Sequence, residues 1–318
     1  MPVGRTPDFD AVDAAVQANA KCAAAVAALD PKDTVVIIGA GLSYPSFPLW
    51  RDLAIRVCKA CGYKGTVSAH PKTFQAARDK NPGAYARFLK RRFSAPVIQI
   101  RLSLLYLMRL KFRAYLTTNF DGTIVRAAEC VYPDSVGVYI YPEHPEPGDL
   151  NLQRIVFIHG RCAELFEKNA DNLVLHFEAY RRAYMDAPVP LVRFFRGVFS
   201  AYNCLFVGTS LTDPPLLYLL QNLAHDGAPS DKRRLLLAAS RAFTANTLDQ
   251  FQLLQTVETA DDQKWKSKNS IDLLRYAPLT SDHDGLESIF RVACETRKSL
   301  SASRRLTMPG VPESAFNV

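Results

Sequence analysis

Four short segments of the chain carry small and polar residues at spacings that could do chemistry. They are Gly39-Ala40-Gly41-Leu42-Ser43, Thr117-Thr118-Asn119-Phe120-Asp121, His159-Gly160 and Gly208-Thr209-Ser210. Glycine at 39 and 41 removes the Cβ that would keep a phosphate away from backbone N–H groups, so the first segment reads as a nucleotide-phosphate site. A dinucleotide fingerprint would want a third glycine at position 44, where the chain has Tyr44. Asn119 offers both a donor and an acceptor for orienting a water. His159 is the nearby side chain whose ordinary pKa suits proton transfer near neutrality. Each segment alone also fits a plainer role. Asn119 and Asp121 suit a turn and a helix cap, His159 a core histidine, and Ser210 and Asp213 cap residues.

The elements that must position these residues can be read from the apolar pattern. Thr34 to Ile38, Arg113 to Thr117, Arg154 to Ile158 and Asn203 to Val207 are runs of strand length, each ending at one of the four segments. Val136 to Tyr141, Arg234 to Ala238 and Ser270 to Arg275 read as further strands, and Leu173 to His176 as a short extended piece. Helices are expected at Phe9 to Leu29, Leu49 to Cys61, Pro96 to Leu110 and Asp284 to Lys298. Another follows Gly122 to about Cys130. Pro71 to Arg92 reads as two short helices broken at Asn81-Pro82-Gly83, and Phe177 to Ser200 as two broken around Pro188-Val189-Pro190. Thr212 or Asp213, with Pro214 behind it, would start one more, and a helix precedes an acidic, lysine-rich loop at Asp261 to Lys268.

Strands alternating with helices imply an α/β fold, a Rossmann-like parallel sheet with helices on both faces. In such a sheet the ligand crevice lies at the carboxyl ends of the strands, so the four segments would face one crevice. Residues 53–110 contain helices without strands and read as an insertion closing over it. The expected organisation is an N-terminal helix (1–30), a catalytic domain (31–298) and a polar, mobile tail (299–318).

Hydrophobic residues make up 48% of the 318 and charged residues 22%, which fits a globular protein with a sizeable core. The net charge of +8 points weakly to an acidic partner or an anionic ligand. Clusters at Lys90-Arg91-Arg92, Lys232-Arg233-Arg234 and Arg304-Arg305 contribute, and each also reads as a solvated face. No basic-aromatic motif accompanies the charge, so direct nucleic-acid binding is not expected. Seven scattered cysteines suggest a reduced, cytoplasmic setting. Cys58-x-x-Cys61 has no second pair to complete a four-thiolate site, so no metal is expected. No run approaches a membrane span.

Taken together, GAGLS, PLWR, TTNFD, HG and GTSLTDP resemble the sirtuin superfamily, and in particular the bacterial sirtuin-like NAD-cleaving domains of anti-phage defence systems. The resemblance covers roughly residues 30 to 298 and includes Asp282-His283 and Leu286 near its end. Gly39-Ala40-Gly41-x-Ser43 matches the family's phosphate loop. Pro48-Leu49-Trp50-Arg51 stands where sirtuins have Pro-Asp-Phe-Arg, and Thr118-Asn119-Phe120-Asp121 where they have Gln-Asn-Ile-Asp. His159-Gly160 matches the catalytic His-Gly, and Gly208-Thr209-Ser210 the Gly-Thr-Ser that holds the adenosine ribose. Protein-deacylating sirtuins carry a zinc ribbon between those last two segments. This chain has only Cys162 and Cys204 there, and Leu49 replaces the Asp of Pro-Asp-Phe-Arg. Both departures favour the NAD-hydrolysing branch.

The resemblance implies cleavage of the nicotinamide–ribose bond of NAD+ to ADP-ribose and nicotinamide. Asn119 and His159 would be catalytic. Gly39, Ala40, Gly41 and Ser43 would hold the pyrophosphate, Asp121 the carboxamide or ribose, Trp50 the ribose face, and Gly208, Thr209 and Ser210 the adenosine ribose. Alternatives are an NAD-dependent deacylase or ADP-ribosyl transferase, and a nucleotide-sensing module without turnover. An NAD hydrolase must be gated, so a homo-oligomer is expected, with the alanine-rich Ala11 to Leu29 as one surface. A HerA-type ATPase or a short Argonaute-like protein is the partner the resemblance suggests.

Overall fold

The computed structural model describes residues 9–94, 97, 99–132, 136–143, 145–150, 154–162, 173–186, 190–209, 211, 217, 220–221, 232–245, 248–278 and 284–306. Among the described residues there are seven strands: β1 (Thr34–Ile38), β2 (Ala114–Thr117), β3 (Gly137–Ile140), β4 (Arg154–Phe157), β5 (Asn203–Val207), β6 (Arg234–Ala239) and β7 (Asp272–Tyr276). They form one sheet in the order β3-β4-β2-β1-β5-β6-β7, and every pairing is parallel. β1 is TVVII, and all five residues are buried, as a central strand covered on both faces requires.

The helices are α1 (Phe9–Ala27), α2 (Trp50–Cys61), α3 (Pro71–Lys80), α4 (Pro82–Phe93), α5 (Leu102–Arg109), α6 (Thr123–Val131), α7 (Phe177–Tyr184), α8 (Pro190–Ala201), α9 (Leu248–Asn269) and α10 (Asp284–Leu306). The period-2 alternation of the strands divides the core in two. Val36, Ile38, Tyr115, Ile155, Phe157, Leu205 and Val207 face one side and pack with residues of α1, α5, α6 and α10. Val35, Ile37, Leu116, Val156, Cys204 and Phe206 face the other, against α7 and α8. On that second side Phe194, Phe195, Phe199 and Phe206 form a run of ring contacts. Each such ring stabilises the fold by roughly 1.5–3 kcal/mol through burial.

A third core joins α2, α3 and α4 to the loops beyond the strands. Leu53, Val57, Phe74 and Leu89 pack there with Phe120, Cys162, Leu173 and Leu175. The insertion is therefore seated on the chain just past β2 and β4.

Four readings of the sequence differ from the structure. The helix expected from Pro96 begins only at Leu102, and Arg101 is extended at φ −69°, ψ 140°. Val97 packs on the third core and Ile100 on the first. A continuous helix would place both on one face. Leu173 to His176 is a turn rather than an extended piece. Its alternation is real, since Val174 enters the second core and Leu173 and Leu175 the third. Asp261 to Lys268 is not a loop but part of α9. It holds no glycine or proline, and Trp265 anchors it to the second core. Residues 299–306 continue α10 as helix rather than starting a mobile tail, with Ser301 Oγ donating to Arg297 O at 2.9 Å. Residues 307–318 lie outside the described residues, as do Thr212, Asp213, Pro214, Asp282 and His283.

Candidate active site

The site starts where two loops touch. Beyond β1 the chain turns at Gly39 to Ser43, and beyond β5 at Gly208 (φ +65°). Because β1 pairs β2 on one side and β5 on the other, the strand order reverses here, the switch point at which open α/β sheets take their ligands. Gly39 N–H donates to Val207 O at 3.0 Å and Gly41 N–H to Gly208 O at 2.8 Å. A Cβ on Gly39 would stand 2.6 Å from Gly208 O, and one on Gly41 2.9 Å from the same oxygen. The glycines are thus required by loop-against-loop contact before any ligand is considered. With the Gly41 N–H committed, the N–H groups of Leu42 and Ser43 turn back to Gly39 O and Ala40 O. Ala40 is the half-exposed residue of the turn.

Three polar side chains from two strand ends converge behind this turn. Asn119 Nδ2 donates to Gly39 O at 3.1 Å and to Ser43 Oγ at 3.0 Å. Ser43 Oγ donates onward to Asp121 Oδ1 at 3.1 Å, and that oxygen also accepts Thr123 N–H at 3.0 Å at the start of α6. Thr117 Oγ1 donates to Ile38 O and accepts Asn119 N–H, each at 3.1 Å, tying β2 to β1 just below. Ser43, Asn119 and Asp121 are buried. Burial pushes the Asp121 carboxyl above its ordinary range, and the bonds from Thr123 and Ser43 pull against that. Asn119 Oδ1 is the remainder: a buried acceptor with no hydrogen-bond partner among the described residues. Asp121 is thus the turn-and-cap residue of the plainer reading and a member of the network as well.

His159 sits past β4, 1% exposed. Its Nε2 is 2.8 Å from Tyr184 Oη, and the rings of Tyr180 and Tyr184 meet it edge-on at 5.4 and 5.9 Å. Burial drives its pKa down to about 3, so the imidazole is neutral at physiological pH. The ordinary histidine pKa assumed from sequence does not apply in this enclosure.

The outer wall belongs to the insertion. Trp50 opens α2, stacks on Phe120 at 6.3 Å and donates its indole N–H to Ala69 O at 3.1 Å. Arg92 on α4 donates to Ser46 O at 2.6 Å, and Arg101 donates to Tyr44 O at 2.7 Å. Two cations outside the turn therefore fasten its far end. Thr209 is half-buried beside Gly39, and its Oγ1 accepts Leu211 N–H at 3.2 Å. Ser210 lies outside the described residues.

The fold thus brings Gly39, Ala40, Gly41, Ser43, Asn119, Asp121, Gly208 and Thr209 into one cluster, with His159 and Trp50 on neighbouring loops. The tyrosine pair and the two arginines were not anticipated. Tyr180 and Tyr184 are spaced i, i+4 on α7, so a shared helix face was legible. That the face meets His159 was not. Among the described residues no group of His, Cys, Asp and Glu could hold a metal ion. No disulfide joins the seven cysteines, and six of them are buried.

The comparison with known families decides the lineage. Residues 113–273 match the SIR2-like domain family. The chain belongs to that family. The SIR2-like match runs from β2 into the first residues of β7, so it includes Asn119, Asp121, His159 and the Gly208 turn. The glycine turn after β1 lies outside the match and is attached to it by the contacts above. SIR2-like domains bind NAD+, and a sirtuin-like, NAD-related function follows for this one. A protein of Sinorhizobium fredii, described as uncharacterized protein y4cA, is similar: 28% identical over 220 residues, covering 61% of this chain and 18% of its own length. The chain therefore spans less than a fifth of that relative. No helix among the described residues is long and apolar enough to cross a membrane.

Proposed function

We propose that this SIR2-like domain is an NAD+ hydrolase that cleaves the nicotinamide–ribose bond, releasing nicotinamide and ADP-ribose. The observation that carries the reading is Asn119 Oδ1, a buried acceptor held in place by two bonds from its own Nδ2 and given no partner among the described residues. An attacking water needs such an acceptor to aim its lone pair, and Nδ2 cannot rotate into the role without abandoning Gly39 O and Ser43 Oγ.

Nicotinamide leaves as a neutral molecule from a cationic ring, so bond breaking runs ahead of attack and leaves an oxocarbenium-like ribose. Such a carbon needs little help from a base. That suits His159, whose neutral imidazole in this enclosure is a hydrogen-bonding group rather than a proton store at pH 7. Water adds its oxygen to the carbon, and its surplus proton leaves for solvent. Asp121 sits 3.1 Å from Ser43 and would supply negative charge beside the developing cation. The Ala40 N–H, on the half-exposed residue of the glycine turn, would face the pyrophosphate. Trp50 would cover the ribose from the insertion side.

The domain would act as an anti-phage effector that depletes NAD+ once assembly or a partner subunit activates it. A homo-oligomer is the favoured assembly, with a HerA-type ATPase or a short Argonaute-like protein as the partner. The alanine face of α1 is spent inside the chain, since Cys22, Ala23, Val26 and Ala27 are buried in the first core. Val12 (45% exposed) and Val16 (60% exposed), one turn apart, are what α1 leaves for another subunit.

The decisive assay follows NAD+ loss and product formation by chromatography, with and without an acylated peptide. Hydrolysis without peptide is expected, with nicotinamide and ADP-ribose in equal amounts. Asn119→Ala should lower the rate by about 10²-fold or more by releasing the attacking water, and His159→Ala should lower it by less, through the lost hydrogen bond to Tyr184, while the circular dichroism spectrum is retained. Near-wild-type turnover in either folded variant would sink the assignment. Nicotinamide release only with peptide would identify a deacylase, and tight NAD+ binding with no product a sensing module.

A further inference from the structure

The charge of the chain is not explained by the candidate active site, whose buried side chains are neutral or acidic. Much of it gathers at the opposite end of the sheet. Lys111, three residues before β2, lies at the amino ends of the strands, beside the carboxyl half of α5 and the middle of α10. Between these two helices is a cleft of ≈ 690 Å³. Arg109, Lys111, Arg291 and Lys298 line it, Tyr106 forms part of its wall, and Glu295 is the one carboxylate among its lining residues.

A fifth cation, Arg297, builds the cleft rather than waiting in it. Its guanidinium donates to Leu29 O and Leu110 O at 2.7 Å each, to Val26 O at 3.1 Å and, through Nε, to Ala27 O at 3.2 Å. It lies over the Phe112 ring at 4.7 Å. One side chain thereby fastens the carboxyl end of α1, the segment before β2 and α10 together, so the cleft is preformed. Cys294 Sγ donates to Tyr106 O at 3.3 Å and closes its floor. Arg291 pairs with Glu295 at 3.6 Å, so the acid is already answered. Arg109 lies over Tyr106 at 5.6 Å, and Lys111 is held at φ 53°, a left-handed conformation that lysine rarely adopts.

We infer that this cleft is a second ligand site, separate from the NAD-related one, that takes a small phosphate-bearing anion of nucleotide size. Three long cations around one concavity, with the Arg291–Glu295 pair beside them, favour a compact multivalent anion. The volume falls in the range of small-molecule pockets, roughly 300–1,000 Å³. A nucleic-acid backbone would need a stripe of cations following regularly spaced phosphates, and these converge on one volume instead. The site is reached from the opposite end of the sheet, so its occupation does not compete with NAD+.

Lysine footprinting on the full chain tests the assignment directly. Sodium pyrophosphate is the minimal probe and a nucleoside triphosphate the larger one. Either should slow acetylation of Lys111 and Lys298, read by peptide mass, while an exposed lysine elsewhere, such as Lys266, is unaffected. The double charge reversal Arg109→Glu with Lys298→Glu should weaken pyrophosphate binding in calorimetry by about tenfold or more, with an unchanged melting temperature. The single variant Lys111→Glu should weaken it in the same direction and serves if the double variant does not fold. Equal labelling of Lys111 and Lys298 with and without the anions would overturn the proposal. A duplex oligonucleotide that protects the same lysines better than either small anion would overturn it in favour of a nucleic-acid surface.

Discussion

The two ends of this parallel sheet are built in opposite ways. At the carboxyl ends the polar side chains are short, buried and spent on one another. Ser43, Asn119 and Asp121 form a closed set that leaves one acceptor over. At the amino ends the polar side chains are long and cationic, and they surround open space. Position follows from this difference. A reacting atom must be placed within tenths of an ångström, which short side chains locked by packing can do. A multivalent anion can be held by flexible arms that settle around it. The backbone follows the same division. Glycine is compulsory where two loops press together at Gly39 and Gly208. At the other end an arginine, Arg297, gathers carbonyls from two segments onto its own helix.

The sharpest way to break the comparison is at the loop contact. Gly39→Ala sets a Cβ 2.6 Å from Gly208 O and 2.7 Å from Thr209 Cβ. A cost of about 3 kcal/mol or more is expected, with little folded protein recovered, as thermal melting would register. A fully stable Gly39→Ala protein would mean that the turn is looser than its geometry. Next is Asn119→Asp, which exchanges a double donor for a second buried carboxyl beside Asp121. A loss of about 2–3 kcal/mol in denaturant titration is expected, larger at pH 7 than at pH 5, where protonation relieves the pair.

The His159 enclosure yields a pH prediction with a definite sign. Its folded-state pKa of about 3 lies below the ordinary 6.5. The folded protein therefore excludes a proton that the unfolded chain accepts. Stability from this group is complete above pH 6.5 and is lost as pH falls toward 3. Between pH 7 and pH 5 the loss is about 2 kcal/mol. Asp121, with its raised pKa, contributes with the opposite sign at the acid end. Comparing wild type with His159→Gln isolates the histidine, and a parallel pair of stability–pH curves would show that His159 is more hydrated than its burial implies. Tyr184→Phe, which removes the hydroxyl 2.8 Å from His159 Nε2, should cost about 1 kcal/mol and leave the pH slope in place. The smallest effect belongs to the far end of the sheet. Arg291 is 49% exposed in its side chain, and Arg291→Ala should change stability by no more than about 0.5 kcal/mol. A larger change there would mean that the cleft is part of the folding core.

The sheet itself was legible in the sequence. Runs such as Thr34–Ile38 and Asn203–Val207 are apolar, β-branched or aromatic and bounded by glycine or polar residues, and a buried parallel strand has few other ways to look. The helix pair broken at Asn81-Pro82 was legible for a similar reason, because proline cannot be placed inside a helix without cost. Readings failed where local pattern and tertiary demand diverged. Val97 and Ile100 have helical spacing but serve two different cores. Asp261 to Lys268 has the charge of a loop, yet Trp265 and the Arg275–Asp262 bonds at 2.7 and 2.9 Å hold it as helix.

The sequence by itself determined which residues stand at the strand ends, because strand length and the small residues after each strand are local properties. It therefore named Gly39, Ser43, Asn119, Asp121, His159 and Gly208 as one set. Only the tertiary structure decided what each of those groups still has to offer. Hydrogen bonds at 3.0 and 3.1 Å consume Asn119 Nδ2 and leave Oδ1. The tyrosines of α7 and the exclusion of water make His159 neutral. Gly41 gives its N–H to Gly208 rather than to a ligand. Residue type fixes the inventory of donors, acceptors and charges. Which of them remain unspent, and with what pKa, depends on neighbours about 20 to 170 residues away that only folding brings within reach.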